Sequence, residues 1–121
     1  MSKNLVQYII LRGDLLKTWK VGPMIAQACH GVTAVMAKHY SDPYVQEYLQ
    51  DLDNMHKVVL EAPDLPCIEK LVSVLKENNI DHTVWIEKPE NFCTCLVLKP
   101  YPKAEVEEYV KEFKLCSRKI K

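Results

Sequence analysis

Hydrophobic and polar positions alternate with helical spacing over one long stretch, residues 20–40. Apolar side chains recur there at i, i+4, i+7 and i+11, which predicts an amphipathic helix with one buried stripe. Gly22-Pro23 suits the start of this helix, because the fixed φ of proline fits a first helical turn. The predicted stripe consists of Ile25, Cys29, Val32 and Met36.

Two polar side chains, Gln27 and His30, lie three residues apart in the same predicted helix. This spacing places them on one edge, in the first turns, where unpaired backbone N–H groups attract anions. Gln27 is either a functional group or an amide that satisfies a neighbouring backbone group. His30 is either a candidate general base, since histidine ordinarily titrates near neutral pH, or a hydrogen-bonded core histidine.

Four runs of β-forming residues surround the helical stretches. Residues 5–11 are apolar at nearly every position, which is typical of a strand buried on both faces. The other runs are residues 57–61, 80–87 and 94–98, and the short link at 88–91 predicts a hairpin between the last two. Three further helices are predicted, with apolar stripes at Val45, Tyr48, Leu49 and Leu52, at Ile68, Leu71, Val72 and Leu75, and at Val106, Tyr109, Val110 and Phe113.

The elements therefore follow the order β-α-α-β-α-β-β-α. Strands separated by helices require right-handed crossovers, so the order predicts a three-layer α/β/α sandwich around a mixed four-stranded sheet. The length of 121 residues suits a single domain that covers residues 1–121. Ligands of such sheets bind beyond the carboxyl ends of strands, where Arg12 and Asp14 follow the first strand.

The composition narrows the classes of function. Sixteen basic residues balance sixteen acidic ones, which argues against a broad electrostatic surface for nucleic acid but is compatible with a local basic patch. Five cysteines without a signal peptide fit a reducing, cytoplasmic environment, and no apolar run reaches the roughly 18 residues of a membrane span. Cys93 and Cys95 are two residues apart on a predicted strand, so we expect them to share a face as small buried hydrophobes.

Candidate chemistry is confined to polar side chains at the predicted edge of the sheet. The sequence has no phosphate-binding glycine loop, no nucleophile elbow and no histidine pair with metal-ligand spacing. The candidates are Asp14, Lys17, Lys20, Gln27, His30, Glu87, Asn91 and Thr94.

Each candidate also has a structural interpretation. Asp14 can end a strand through an Asx turn, and Lys20 can be a solvated loop charge. Glu87 can be the surface partner of a nearby lysine. Trp19 and Trp85 are either core residues or a platform on which a base stacks. The residues by themselves therefore leave the substrate open.

Two segments, ILRGDL and AQACHG, resemble motifs of the second family of peptidyl-tRNA hydrolases, found in archaea and eukaryotes. That family has an apolar strand ending in Arg-x-Asp-Leu, followed by a helix with Ala-Gln-Cys-x-His-Ala. The segment LVLKP resembles the family's last strand, which begins with threonine and ends in proline. The matching residues are Arg12, Asp14, Leu15, Ala26, Gln27, His30, Thr94 and Pro100.

This resemblance implies an esterase that cleaves the bond between a peptide, or an N-blocked amino acid, and the 3′ end of tRNA, without a cofactor or metal. The implied partner is the acceptor end of tRNA, with no membrane, and the implied oligomeric state is a monomer or homodimer. The implied catalytic residues are Lys20, Gln27, His30, Glu87 and Thr94, and the implied binding residues are Arg12, Asp14, Lys17 and Asn91.

The resemblance also implies a role for each group. Lys20, or free N–H groups at the helix start, would hold a phosphate or the developing oxyanion. Asp14 and Glu87 would orient a lysine or a water. His30 would be the general base. The ester would be positioned by Gln27, Asn91 and Thr94.

Two segments depart from the family's pattern. Its Gly-Lys-Gly-Lys run is replaced by residues 18–23, with Pro23 where the last lysine would fall. Its Asp-Ala-Gly-x-Thr-Gln run is replaced by a shorter loop, in which Glu87 takes the place of the aspartate and Asn91 roughly that of the threonine. These departures motivate a second hypothesis, a catalytically impaired module that binds tRNA or a protein. Lys20 within reach of Asp14 and Gln27 would favour the enzyme, and a solvent-directed Lys20 the module.

Overall fold

The computed structural model describes residues 4–118, which form four α-helices and one open, mixed sheet of six strands. The strands are β1 (Leu5–Arg12), β2 (Lys57–Ala62), β3 (His82–Glu87), β4 (Phe92–Leu98), β5 (Tyr101–Pro102) and β6 (Lys114–Leu115). The helices are α1 (Val21–Lys38), α2 (Pro43–Gln50), α3 (Leu65–Glu77) and α4 (Lys103–Val110). Within residues 4–118, no helix has both the length and the hydropathy that crossing a membrane requires.

Strand β1 is the central strand of the sheet. It pairs in parallel with β2 and antiparallel with β4, so that Ile10 lies between Leu60 and Leu96. The sheet order is β3-β4-β1-β2-β6, and β5 pairs with the beginning of β1. The hairpin of β3 and β4 is confirmed, whereas the predicted number of four strands is wrong, because β5 and β6 extend the sheet to six.

Side chains of β1 alternate between two hydrophobic clusters. Tyr8 and Ile10 belong to the cluster that contains residues of α3 and α4. Ile9 and Leu11 belong to the cluster that contains residues of α1. Because successive side chains of a strand point to opposite faces, helical side chains pack on both faces of β1. The three-layer arrangement as a whole stays a prediction.

Aspartate side chains cap the N-termini of two helices. Asp42 accepts a hydrogen bond from the backbone N–H of Tyr44 at 2.8 Å, at the start of α2. Asp64 accepts one from the backbone N–H of Cys67 at 3.1 Å, at the start of α3. Both contacts satisfy N–H groups that the first helical turn leaves unpaired. Asn79 follows the end of α3 with a φ of 55°, a left-handed conformation that asparagine tolerates.

The buried stripe of α1 differs from the predicted one. Of the predicted stripe, Ile25 and Cys29 are exposed, Ile25 at 56%, whereas Val32 and Met36 are half-buried and pack against the cluster that α1 forms with β1. Both stripes have nearly the same spacing, so periodicity alone could not choose between them. The true stripe contains a glutamine and a glycine, which made it look less like a core. Its members are Met24, Gln27, Gly31 and Val35.

Two predicted helix boundaries are also corrected. Leu52 lies beyond α2 in a short 3-10 turn and is exposed, and Phe113 lies beyond the end of α4. Arg118, the last residue that the structure describes, donates a hydrogen bond to the buried Glu61 at 3.1 Å.

Candidate active site

A β-bulge in β4 turns the side chain of Thr94 toward α1. Trp85 of β3 pairs with Cys95 and Ile86 pairs with Cys93, which leaves Thr94 as the extra residue of the bulge. The bulge shifts the alternation of the strand, so Cys95 packs in the α1 cluster and Cys93 in the opposite one. The prediction that these two cysteines share a face is therefore wrong.

Thr94, Gln27 and Glu87 form one hydrogen-bonded chain, here called the Gln27 network. The hydroxyl of Thr94 donates to Oε1 of Gln27 at 3.0 Å, and Nε2 of Gln27 donates to Oε2 of Glu87 at 2.9 Å. Gln27 is 2% exposed and Thr94 is fully buried, whereas Glu87 at the end of β3 is half-buried. Because both ends of the amide are engaged, Gln27 fixes the Glu87 carboxylate. The second oxygen of the Glu87 carboxylate, Oε1, has no hydrogen-bond partner among residues 4–118.

His30 lies one turn after Gln27 on α1 and is exposed to solvent, so its interpretation as a core histidine is wrong. Its ring stacks on Trp85, with 4.8 Å between the ring centroids and 24° between the ring planes. Trp85 and Glu87 point to the same face of β3 because they are two residues apart. The contacts His30–Trp85 and Gln27–Glu87 are therefore successive along the line where α1 meets β3.

The two predicted cations do not join the Gln27 network. Lys20 is the N-cap residue of α1, is exposed, and forms no ion pair or side-chain hydrogen bond within residues 4–118. Lys17 is exposed on a 3-10 turn and lines a separate cavity next to Glu61 and Arg118. The exposed position of Lys20 is the one that favours the binding-module hypothesis.

Arg12 and Asp14 bind each other. Nε and Nη2 of Arg12 donate to the two carboxylate oxygens of Asp14 at 3.1 and 2.8 Å, and Nη1 donates to the carbonyl of Cys93 at 3.1 Å. The hydrogen bonds from Arg12 hold the pKa of Asp14 below its ordinary value. The same pair raises the pKa of Arg12. Among the described residues, the Asp14 carboxylate therefore has Arg12 as its cation and does not contact Lys20.

The turn between β3 and β4 carries Asn91, which has a φ of 55° and is exposed. Its Oδ1 accepts a hydrogen bond from Nζ of Lys88 at 2.6 Å, so it does not join the Gln27 network. The next residue, Phe92, lies opposite Glu87 and stacks on Trp19, with 5.9 Å between centroids and 11° between planes. Sequence reasoning missed Phe92, because its place beside Glu87 depends on the register of the hairpin.

Comparison with known proteins places these residues in a family. The sequence matches the family described as "Peptidyl-tRNA hydrolase PTH2" over residues 5–116. Relatives in Homo sapiens and Mus musculus, both named "Putative peptidyl-tRNA hydrolase PTRHD1", are 49% and 48% identical over 114 residues. Both alignments cover 92% of this chain and 81% of the relative. The resemblance inferred from the motifs is therefore confirmed over nearly the whole chain.

Proposed function

Since the chain belongs to the PTH2 family of peptidyl-tRNA hydrolases, we propose that it hydrolyses the ester between a peptide, or an N-blocked amino acid, and the 3′ end of tRNA. The observation that carries this proposal is the Gln27 network at the edge of the sheet where β1 and β3 end. A carboxylate that is fixed on one side and accessible on the other can orient a water and accept its proton. The proposal requires no cofactor or metal.

Burial divides the Gln27 network into two roles. Gln27 and Thr94 are too deeply buried to touch a substrate, so they act as positioning residues for Glu87. Glu87 is the catalytic residue that faces the reacting water. His30 is the second candidate for the general base, because its exposed ring lies one turn from Gln27. This assignment modifies the implied role of Gln27 and Thr94, which now hold the carboxylate rather than the ester.

The start of α1 is assigned to a phosphate of the RNA. The backbone N–H groups of Val21 and Gly22 open the helix, no acidic residue lies in its first turn, and Lys20 is adjacent. Val21 and Gln27 are six positions apart, a rise of about 9 Å along the helix axis. This separation suits a phosphate next to the ester better than the oxyanion of the ester itself. We assign Arg12 and Asn91 to binding around this site, whereas Lys17 lines the separate cavity next to Glu61.

Release of free tRNA from N-acetyl-aminoacyl-tRNA tests the hydrolase. Purified protein should release tRNA in proportion to enzyme concentration. Glu87→Gln keeps an oxygen that can accept from Gln27 but removes the base, so we expect the rate to fall by about 100-fold or more. Lys76→Ala, an exposed change on α3, should leave the rate unchanged. No turnover above the blank at micromolar enzyme would contradict the proposal.

A second candidate function is a module that binds tRNA without cleaving it. The observation in its favour is that, within residues 4–118, no lysine or arginine pairs with Glu87 and Lys20 is exposed. This candidate predicts tRNA binding that weakens steeply between 50 and 200 mM salt, with no release of tRNA from the ester. Absence of both binding and cleavage would leave a protein-interaction role. Both candidates are compatible with the cytoplasmic environment that the cysteine count predicts, and all five cysteines are free.

A further inference from the structure

Two stacked pairs of rings involve close neighbours of Glu87. Trp85 precedes it by two residues on the same face of β3, about 7 Å away along the strand. Phe92 lies directly opposite it on β4, at a cross-strand spacing of about 5 Å. The ring of His30 stacks on Trp85, and the ring of Trp19 stacks on Phe92. Residue Glu87, whose carboxylate is assigned to catalysis, therefore has one aromatic neighbour along its strand and another across the hairpin.

The two pairs differ in what they offer to a ligand. Trp19 and Phe92 are half-buried, and the guanidinium of Arg12 lies 4.9 Å from the centre of the Phe92 ring. His30 is exposed and lies on Trp85 with one face, while no other ring of residues 4–118 stacks on it. A flat ring that is supported below and open above is how proteins commonly bind unpaired bases, since every base has a π-face.

The indole nitrogen of Trp85 is a second, independent observation. Its Nε1 is buried and has no hydrogen-bond partner within the described part of the chain. A buried unpaired N–H is unfavourable, and phenylalanine at this position would avoid it. Hydrogen bonding therefore does not explain a tryptophan here, whereas its larger ring area serves both the core beside α1 and the stacked ring of His30.

We propose that His30 and Trp85 form a stacking platform for the terminal unpaired nucleobase of the RNA substrate. The His30–Trp85 and Gln27–Glu87 contacts are successive, so a base on His30 brings the adjoining 3′ ribose, with its ester, toward Glu87. The ring face of His30 thus selects substrates that end in an unpaired base. This inference rests on the proposed function only in taking RNA as the ligand.

Binding of two short RNA hairpins tests the platform without turnover. One hairpin carries a single-stranded 3′ extension of four nucleotides, and the other is identical but has an abasic site at the last nucleotide. Fluorescence anisotropy should show tighter binding of the hairpin with the terminal base. His30→Ala should weaken that binding by roughly tenfold and leave binding of the abasic hairpin nearly unchanged. His30→Phe keeps a flat ring and should bind within twofold of the wild type.

Tyr40→Ala is the matched control, because Tyr40 is an exposed aromatic residue just beyond the end of α1, about 20 Å along the axis from Gln27. It should bind both hairpins like the wild type. Circular dichroism verifies folding of each variant, and the exposed position of His30 makes a folding defect unexpected. The platform would be overturned if His30→Ala weakened the binding of both hairpins equally, or weakened the binding of neither.

The hydrolysis assay separates the ring face from proton transfer. If His30 acts by stacking, His30→Ala raises the KM of the ester substrate, whereas His30→Phe, which keeps a flat ring, leaves that KM near the wild-type value. A His30→Phe variant that loses the preference for the terminal base would overturn the platform. The two proposals fail separately. If the wild type prefers the terminal base but does not hydrolyse the ester, the platform is supported and the hydrolase is contradicted. If it hydrolyses the ester without that preference, the hydrolase is supported and the platform is contradicted.

Discussion

Gln27 joins α1 to both strands of the hairpin. Its side chain accepts from Thr94 and donates to Glu87, and its backbone carbonyl accepts a longer contact from Sγ of Cys95 at 3.5 Å. An amide suits this position because it carries a donor and an acceptor on one planar group. A carboxylate at this position would repel Glu87. An apolar side chain would remove the hydrogen bonds that Gln27 forms with Thr94 and Glu87. The position of the Glu87 carboxylate therefore depends on this one amide.

Thr94→Val should separate the effect of the hydroxyl from that of side-chain volume. Valine leaves Oε1 of Gln27 buried without a donor, so we expect the free energy of unfolding to fall by about 1 kcal/mol. We also expect the rate of ester hydrolysis to fall about tenfold, because the amide no longer fixes Glu87. Thr94→Ser keeps the hydroxyl and should stay close to the wild type. Urea unfolding and initial rates measure both effects, and wild-type rates in the valine variant would contradict this role.

At the scale of residues, local chemistry could be predicted and pairing geometry could not. Gln27 is recognisable because a polar amide interrupts an apolar helix. The turn of Thr94 toward Gln27 comes from the bulge, which depends on the register of β4 against β3. The exposure of Lys20 and His30 depends on which stripe of α1 faces the sheet, and two stripes of similar spacing competed.

Helix α1 lies close to β4 at Gly31. A Cβ atom added there would lie 2.6 Å from Cγ2 of Val97 and 3.4 Å from Sγ of Cys95. Val97 is completely buried, so it has little room to move away. The missing side chain at Gly31 therefore lets α1 lie close enough to the sheet for Gln27 to reach Thr94.

Gly31→Ala and Gly22→Ala form a matched pair within α1. Alanine favours a helix over glycine by about 1 kcal/mol, but at Gly31 the clash with Val97 should outweigh this and destabilise the protein by about 1–3 kcal/mol. A Cβ at Gly22 meets nothing within 4 Å, so that variant should be as stable as the wild type or slightly more stable. Thermal and urea unfolding measure the difference. Equal stability of the two variants would show that α1 can shift away from the strand without cost.

At the scale of elements, length decided what the sequence could predict. Strands β1 to β4 and the four helices carry patterns long enough to recognise. Strands β5 and β6 have two residues each, too few for any periodicity. Proline usually ends a strand, so Pro102 argued against β5. Leu115 in β6 is 63% exposed, so no buried apolar pattern indicated that strand. Their positions come from pairing with the distant residues Val6 and Leu60.

Lys99 ties three parts of the molecule together. It is 5% exposed, and its Nζ lies 2.6 Å from Oδ2 of Asp42 and 2.9 Å from Oδ2 of Asp81. Asp42 begins α2, Asp81 precedes β3, and Lys99 follows β4. Burial by itself lowers the pKa of Lys99, but the two carboxylates outweigh burial and raise it well above its ordinary value. Burial likewise raises the pKa of Asp42, but hydrogen bonds from Lys99 and from the backbone of Tyr44 outweigh it and leave the pKa lowered.

The signs of these shifts predict where this cluster stabilises the fold. The lowered pKa of Asp42 contributes stability above its unfolded value of 3.8, and this stability is lost as the pH falls through the folded value. The raised pKa of Lys99 contributes stability below its unfolded value of 10.5, and this stability is lost as the pH rises through the folded value. The cluster therefore stabilises the protein across the neutral range and weakens at both extremes.

Lys99→Met tests whether this stabilisation is electrostatic. Methionine preserves an unbranched apolar stem but leaves Asp42 and Asp81 as neighbouring carboxylates without their cation. We expect a loss of about 2 kcal/mol at pH 7, less than the roughly 3–5 kcal/mol for one partner of a fully buried pair. The loss is smaller because the two aspartate side chains are 24% and 41% exposed.

The loss should be smaller at pH 3, because the stability that the lowered pKa of Asp42 contributes in the wild type is lost as the pH falls below its unfolded value of 3.8. Urea unfolding at both pH values measures it, with Lys76→Met on the exposed surface of α3 as the control. A difference between Lys99→Met and the wild type that is the same at pH 7 and pH 3 would assign Lys99 to packing instead. In that case the position of Asp42 at the start of α2 would depend on its backbone hydrogen bond with Tyr44, and not on charge.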